Sequence, residues 1–284
     1  METHAKLRKR TWDRDEKEYN RLIRPVLHHI PLTNVTRADI EKLVANVLGN
    51  HGKGPARKAR SLLSAMFERA SEHDWVPKNP VKGTYRPDFE PRQRYVKPDE
   101  IGGLLTAIDQ MESELARDFF LMCLWTGARR SNVASMRWEE IDFTHAVWII
   151  PGAKHKSKKS QTVPLSVPAM EILKQRFDRR MNEWVFPGRG KAGHYSDPKD
   201  AWNRVKELSG IQNIRIHDLR RSLGAWQNRA GDNIKLISST LGHSNIAVTS
   251  TFYTPQELEP IRESVNRVAE SMLKRKSEDE KAGE

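Results

Sequence analysis

Apolar positions in the first eighty residues recur at the spacing of amphipathic helices. In GPARKARSLLSAMFERA, residues 54 to 70, they follow the 3, 4, 7, 8 periodicity of a single helix face: Ala59, Leu62, Leu63, Met66, Phe67 and Ala70. VTRADIEKLVANVLG predicts another helix, with Thr36 as N-cap, Asp39 at the third helical position and Gly49 as the stop. Residues 12 to 80 are therefore predicted to be entirely helical.

The pattern changes after this helical region. Residues 83 to 98, GTYRPDFEPRQRYVKP, contain three prolines, many charges and few aliphatic residues, which is typical of a linker. Beyond it, KPDEIGGLLTAID, ELARDFFLMCLW and SNVASM predict helices, AVWII and QTVPL predict strands around a basic loop, and helices then continue almost to the end. We therefore expect a mainly α protein with a small β-sheet (α+β). The expected domains are 1–86, a linker over 87–98, and 99–284 with a C-terminal helix and polar tail.

The charge balance adds a candidate partner. The 284 residues include 49 Lys+Arg and 37 Asp+Glu, a net charge of +12. Residues 1–90 contribute 18 − 12 = +6 and residues 91–284 contribute 31 − 25 = +6, so both parts could contact the same polyanion. Nucleic acid is the first expectation and a membrane surface the second, while a merely basic, well-solvated protein is the alternative.

Cysteine content and apolar run lengths restrict the compartment. The single cysteine, Cys123, lies in the apolar run FFLMCLW and is predicted to be a small buried hydrophobe in a reducing compartment. No uncharged apolar run approaches the roughly 20 residues of a membrane span, and METHAKLRKR lacks the apolar core of a signal peptide. A cytoplasmic protein without membrane contact is expected.

Four separated stretches combine reactive residue types with turn chemistry. They are TGARRS with Gly127 and Arg129, the loop PGAKHKSKKSQTVPL with Lys154, Lys156, Lys158 and Lys159, IHDLRRS with His217 and Arg220, and LGHSNIAVTSTFYT with His243 and Tyr253. Arginine can stabilise the charge on the phosphate oxygens in the transition state of phosphodiester cleavage, and lysine carries a proton that it can transfer to a leaving oxygen. A tyrosine phenoxide can form a covalent phosphoester. No cluster has metal-ligand spacing. Taken singly, each feature also has an ordinary structural explanation, such as a solvated lysine loop or a helix-capping histidine.

The order of the four stretches resembles the tyrosine recombinases, or phage integrases. The matching segments are TGARRSNVASMRWEEID (126 to 142), VWIIPGAKHKSKKSQTVPLS (147 to 166), HDLRRSLGAW (217 to 226) and LGHSNIAVTSTFY (241 to 253). The resemblance covers residues 96 to about 260 and implies a tyrosine-recombinase catalytic domain. Residues 12 to 80, which end in NPVKG, resemble the family's core-DNA-binding domain more weakly.

The resemblance implies a role for each matching residue. Arg129 and Arg220 correspond to the two phosphate-clamping arginines, and His217 to the residue that bonds the phosphate or assists proton transfer from the nucleophile. His243 corresponds to a later phosphate-contacting residue. Tyr253 corresponds to the nucleophile, which leaves a 3′-phosphotyrosyl link and a free 5′-hydroxyl.

The general acid is assigned by spacing within the family pattern. The hairpin lysine commonly stands eight residues before the proline of the second strand, which selects Lys156 before Pro164, with Lys154 as the alternative. Two departures stand out. The histidine-to-tyrosine spacing is ten residues rather than the frequent nine, which would reach Phe252, and Asn132 occupies a position where an acidic residue is common.

The resemblance also implies partners and cofactors. Neither metal nor ATP is expected, and the substrate is double-stranded DNA at specific recombination sites, held by a homotetramer on two sites and exchanged through a Holliday junction. DNA-bending proteins and a directionality factor are compatible further partners. The DNA-binding candidates are basic residues of the first helical domain and the lysine loop: Arg57, Lys58, Arg60, Lys154 and Lys158.

Several alternatives stay open at this level. The apolar stripe of the last helix, Leu258, Ile261, Val265, Val268 and Met272, could pack on a neighbouring protomer or on its own domain. A type IB topoisomerase and a catalytically silent DNA-binding regulator are the rival functions. Residues before 12 leave no room for a further arm-binding domain, so either a short integrase or a truncated one is expected. The target sequence and the direction of recombination are not encoded in any readable pattern.

Overall fold

A computed structural model describes residues 11–88, 92–154, 160–242 and 255–282 of the chain. The chain divides into two compact units, residues 1–92 and residues 93–284, each with its own hydrophobic core. In the described ranges, no helix is both long enough and apolar enough to span a bilayer.

The first unit is helical throughout its described elements. Helix α1 (Trp12–Glu18) continues through a π-helical turn (Tyr19–Ile23) into α2 (Arg24–Leu27), and a 3₁₀ turn (Leu32–Asn34) precedes α3 (Arg37–His51) and α4 (Lys53–Glu72). Its core includes Ile23, Ile40, Leu43, Val47, Ala59, Leu63 and Phe67. The predicted apolar face of α4 is thus the buried one, with Leu62 only partly covered.

Local sequence signals set the start of α3 correctly and its end incorrectly. The Asp39 amide donates to Thr36 Oγ1 at 3.3 Å, and the Thr36 amide donates to the Asp39 carboxylate at 2.9 Å, which forms the predicted capping box. The predicted stop at Gly49 is wrong, because the helix continues to His51. The helix can include Gly49 because a glycine inside a helix costs only about 1 kcal/mol relative to alanine. Gly52 ends the helix instead, with φ of 83°.

The second unit surrounds a small antiparallel sheet with helices. Its elements are α5 (Ile101–Asp109), α6 (Glu114–Thr126), α7 (Arg130–Ala134), β1 (Ile141–Asp142), β2 (Val147–Ile150), β3 (Gln161–Pro164), α8 (Val167–Asp178), α9 (Lys199–Ser209), α10 (Ile216–Arg229), α11 (Ile234–Leu241) and α12 (Pro255–Ala282). The strands lie in the order β1-β2-β3, with Ile141 opposite Trp148 and Trp148 opposite Val163. The short strand β1 was not predicted, because two residues carry no readable alternation.

Helix α6 is the central element of this unit. Nine of its thirteen residues are buried, so it has core on almost every side. Phe119 contacts Phe120, Phe186 and Tyr195 in edge-to-face geometry, with centroid separations of 5.1 to 5.6 Å. Cys123 is fully enclosed, and this burial raises the pKa of its thiol, as expected for a structural cysteine.

The C-terminal helix α12 packs on its own domain. Leu258, Ile261 and Val265 are at most 7% exposed, and Val268 and Met272 belong to the core of the second unit. The side-chain oxygen of Asn266, Oδ1, accepts from the Val167 amide at 2.8 Å and so connects α12 to the start of α8. Of the two alternatives for the apolar stripe, burial within its own domain is the one that the structure shows.

Candidate active site

Arg129 is held at the turn between α6 and α7. The Thr126 hydroxyl donates to the Met122 carbonyl at 2.6 Å and accepts from the Ala128 amide at 3.2 Å. Gly127 ends α6 with φ of 56°, a left-handed conformation that favours glycine. A Cβ there would also lie 2.8 Å from a methyl of Leu223, so the turn depends on glycine twice.

Helix α10 carries two further catalytic candidates, His217 and Arg220. Its first turn is capped by Asp218, fully buried, whose carboxylate accepts from the Arg215 amide at 2.9 Å and pairs with Arg221 at 2.5 Å. His217 and Arg220, three residues apart, follow from this start. The capped first turn therefore fixes the position and direction of both side chains on α10.

Arg220 is buried, and its guanidinium group is hydrogen-bonded. One guanidinium nitrogen donates to the Gly127 carbonyl at 2.6 Å and another to the Leu241 carbonyl, so the side chain joins the C-terminal ends of α6 and α11. Carbonyls at helix C-termini carry partial negative charge and stabilise a cation there. Burial, together with neighbouring Arg129, lowers the pKa of Arg220 to about 10, which leaves it protonated at neutral pH.

His217 lies in the field of these arginines. Partial burial lowers its pKa, and the charges of Arg221, Arg220 and Arg129 lower it further, against the opposing effect of Asp218. The neutral imidazole is therefore favoured near pH 7. In this state one ring nitrogen can accept a proton while the other donates a hydrogen bond.

Arg129 and His217 line one cationic cavity of about 550 Å³, with Arg130, Ser131, Lys199, Trp202, Asn203, Lys206, Ile214, Arg215 and Ile216. Five of the eleven lining residues are arginine or lysine, and none is acidic. Within the described ranges, Arg130, Lys199, Lys206 and Arg215 take part in no salt bridge. Uncompensated positive charge around a concave surface favours an anionic ligand.

Sequence reasoning missed the contribution of α9 to this cavity. Lys199, Asn203 and Lys206 are spaced 0, 4 and 7, so they lie on one side of α9, while Val205 is buried on the other; Trp202, at the border, is buried and also lines the cavity. The helix KDAWNRVKELS shows this division in its sequence. Only the position of α9 beside Arg129, however, distinguishes it from an ordinary solvated basic helix.

Lys154 is engaged at the base of the lysine loop. Its ammonium donates to the Glu140 carboxylate at 2.5 Å and to the Ser135 carbonyl. Glu140 is 7% exposed and also accepts from Trp148 Nε1 at 3.1 Å. These contacts connect the segment after β2 to the end of α7. Lys154 therefore anchors the base of the lysine loop.

Four of the predicted site residues fall outside the described residues. Lys156 and Lys158 lie between Lys154 and the start of β3, and His243 and Tyr253 lie between Gly242 and the start of α12. Their predicted roles stay predictions.

The basic candidates of the first unit have contacts within that unit. Arg60 donates to Thr84 Oγ1 at 3.0 Å and to the Val81 and Thr84 carbonyls at 3.1 Å, so it closes the turn after α4. Lys58 pairs with Glu18 at 3.2 Å, and Arg57 is half-buried. The structure gives Arg60 and Lys58 structural partners, and the predicted DNA contacts of all three residues stay predictions.

Asn132, the departure from the family pattern, is 3% exposed, and its side-chain nitrogen, Nδ2, has no partner among the described residues. We have no mechanistic account of the change from an acidic residue.

Arg129 and His217 line one cationic cavity of a mainly helical domain, and the charge of Arg220 acts on His217, so the site has the features of an anion-binding site. Residues 94–259 match the model of the phage integrase family. The match covers more than half of the chain, so the chain belongs to that family.

Relatives support the same assignment. The chain is 28% identical over 248 residues to the integrase of Salmonella phage P22, covering 78% of this chain and 62% of that protein. It is 27% identical over 169 residues to prophage integrase IntF of Escherichia coli K12, covering 58% of this chain and 36% of that protein. It is 23% identical over 248 residues to a tyrosine recombinase of Thermosipho africanus, covering 83% and 87%. The chain thus spans under two thirds of the length of the first two relatives.

Solved structures confirm the predicted fold class. A lambda integrase dimer bound to a COC′ core site aligns with a TM-score of 0.70 at 18% identity, covering 87% of this chain and 92% of that chain. The Tn1549 transposon integrase in complex with a circular intermediate DNA aligns with a TM-score of 0.70 at 17% identity, covering 88% and 92%. At such identities the likeness establishes the fold alone.

Proposed function

We propose that the chain is a site-specific DNA recombinase that cleaves and rejoins strands through Tyr253. The observation that carries this proposal is that Arg129 and His217 line one acid-free cationic cavity, with the backbone-held Arg220 close enough for its charge to act on His217. Membership of the phage integrase family supports the reaction type.

The described residues account for the phosphate side of the reaction. Arg129 and Arg220 stabilise the non-bridging oxygens as they gain charge, and Arg220 needs little reorganisation because its carbonyl partners already hold it. Neutral His217 takes the phenolic proton as the Tyr253 oxygen attacks phosphorus. The new bond is a 3′-phosphotyrosyl ester, the P–O5′ bond breaks, and Lys156 donates the proton that the leaving 5′-oxygen needs.

Rejoining follows from the same chemistry in reverse. The phosphotyrosyl ester retains the energy of the broken phosphodiester, so a 5′-hydroxyl can displace the tyrosine without ATP or metal. We further propose that four protomers exchange strands between two duplex sites through a Holliday junction. A lambda integrase tetramer bound to a Holliday junction, with a TM-score of 0.70 at 19% identity, supports that arrangement.

The test is formation of a covalent adduct. Binding sites are first selected by the protein from a random-sequence duplex library. The selected duplexes are 5′-labelled and nicked at successive positions, so that the short fragment released by cleavage diffuses away and rejoining is prevented. After incubation with the protein, covalent adducts are resolved on denaturing gels. We expect an adduct that maps to Tyr253 and is absent in Tyr253→Phe. Tight, sequence-specific binding without any adduct would instead favour the silent regulator, and relaxation of plasmid lacking the site would favour the topoisomerase.

A further inference from the structure

Three helices of the second unit share one buried polar network outside the cationic cavity. Gln227 on α10 is completely buried, and its amide nitrogen donates to Thr240 Oγ1 on α11 at 3.0 Å and to Ser264 Oγ on α12 at 2.7 Å. Ser264 is also completely buried and donates to the carboxylate of Asp232, which pairs in turn with Arg267. One side chain therefore joins three helices.

The hydroxyl partners determine how the Gln227 amide is oriented. Thr240 Oγ1 donates to the Leu236 carbonyl at 3.0 Å, and Ser264 Oγ donates to Asp232. Since both hydroxyl protons are used, both oxygens can only accept from Gln227, which places its NH₂ group toward them. The side-chain oxygen of Gln227, Oε1, is then buried with no partner in the described part of the chain.

That unpartnered oxygen argues against a purely stabilising role. A buried acceptor without a donor costs about 1–3 kcal/mol, and replacing a polar group by an apolar one of the same shape can be nearly neutral. A methionine at this position would fill similar space and remove the cost. The two hydrogen bonds that the Gln227 NH₂ group donates instead favour one relative arrangement of α10, α11 and α12.

The three helices are those that carry or flank the proposed reactive groups. Helix α10 carries His217 and Arg220, α11 ends one residue before Gly242, and α12 begins two residues after Tyr253. Gln227 lies two turns after Arg220, about 10 Å along the helix. Arg220 bonds the last carbonyl of α11, and Gln227 bonds the adjacent Thr240 and also α12.

We infer that Gln227 is a positioning residue for strand cleavage. It holds both flanks of the Tyr253 segment in register with the helix that binds the phosphate, and Ser264 is its contact on the C-terminal flank. The inference rests on the proposed function. A displacement of about 1 Å between reacting groups can cost up to roughly 100-fold in rate, so loss of this register should slow cleavage without weakening DNA binding.

The experiment measures single-turnover adduct formation at saturating selected, nicked duplex, with site affinity and thermal unfolding measured in parallel. We expect Gln227→Met and Ser264→Ala each to reduce the cleavage rate about 10- to 100-fold at unchanged affinity. The double variant should be no slower than the slower single variant, because both changes break one connection. The matched control is Ser222→Ala: Ser222 is a fully buried hydroxyl on the same helix that accepts from the Val96 amide and touches neither flank.

The outcomes separate the two levels of proposal. No adduct with the wild-type protein on DNA that it binds overturns the proposed function and this inference with it. A wild-type adduct combined with unchanged rates in Gln227→Met and Ser264→Ala overturns the inference alone. An equal loss of rate in Ser222→Ala also overturns it, because a general loosening of α10 would then explain the effect.

Discussion

At the scale of single residues, the site combines cations that the fold has already placed with one residue that titrates. Arg220 is held by two backbone carbonyls and lies close enough to Arg129 for their charges to interact. Such a guanidinium is available for phosphate without a competing carboxylate. His217 is a titratable residue of this site, and its pKa lies below the ordinary value because of burial and the neighbouring arginines.

The lowered pKa of His217 predicts an acid limb in the cleavage rate. Its folded-state pKa lies below the ordinary 6.5, so neutral imidazole predominates at pH 7 and is lost as pH falls through that lowered value. Stability should fall in the same direction, because between the two pKa values the unfolded chain binds more protons. Arg221→Gln removes a neighbouring charge that lowers this pKa, so the acid limb of the pH–rate profile should move to higher pH. Arg204→Gln, on α9, should leave it unmoved.

At the scale of elements, the hairpin is anchored by a partly buried ion pair. Lys154 and Glu140 connect the end of β2 to the end of α7, close to the turn that holds Arg129. This structural role is sufficient to explain a lysine at position 154. The role of general acid stays a prediction for Lys156.

Removing Lys154 should therefore affect stability and leave proton transfer intact. Lys154→Met strands the Glu140 carboxylate and should lower the free energy of unfolding by about 1–3 kcal/mol, and adding Glu140→Gln should restore much of it. Urea unfolding measures this.

A DNA strand with a 5′-bridging sulfur distinguishes the general acid, because a thiolate leaves without a proton. We expect this substrate to restore the cleavage rate of Lys156→Ala to a much greater extent than that of Lys154→Met. The reverse pattern would assign the acid to Lys154.

Helix α12 is the second element whose role depends on packing. Met272 is fully buried in the domain core, whereas the adjacent Leu273 is 40% exposed. Met272→Ala should lower the free energy of unfolding by about 2–5 kcal/mol. Leu273→Ala should change it little, and equal small effects from both would argue that α12 is not docked on its own domain in solution.

At the scale of the whole molecule, positive charge is spread over both units, and four of the cations that line the cavity form no salt bridge with any described residue. The first unit uses Arg60 and Lys58 partly for its own contacts. The second unit leaves Lys199 and Lys206 outside any described salt bridge, beside Arg129. The α9 face is therefore the place where a charge change should most directly alter DNA binding.

Neutralising that face should weaken DNA binding in a salt-dependent manner. Each phosphate contact contributes about 0.9 to the slope of log affinity against log salt concentration, so Lys199→Ala/Lys206→Ala should reduce the slope by about 2. Fluorescence anisotropy titrations between about 50 and 200 mM salt measure it. Lys174→Ala, an exposed lysine on α8, serves as control, and an equal change in slope there would contradict a specific contact.

Local pattern was sufficient for most elements and insufficient for their ends and contacts. The periodicity of 54 to 70 and the capping box at Thr36 depend on neighbours along the chain, and both were predictable. The end of α3, two residues beyond Gly49, depends on which of two nearby glycines adopts the left-handed conformation. The α9 face was missed because a basic stripe looks the same in sequence whether it lies beside Arg129 or faces open solvent.

The sequence by itself determined the class of fold, the order of the four motifs and the chemical types available for phosphate chemistry, because these follow from local periodicity and residue identity. Tertiary structure alone decided that Arg220 joins the ends of α6 and α11, that Lys154 is paired with Glu140 and that α12 packs on its own domain. It also decided that Gln227 links three helices. Each of these depends on partners distant in the chain, and only the packed core brings such partners within hydrogen-bonding distance.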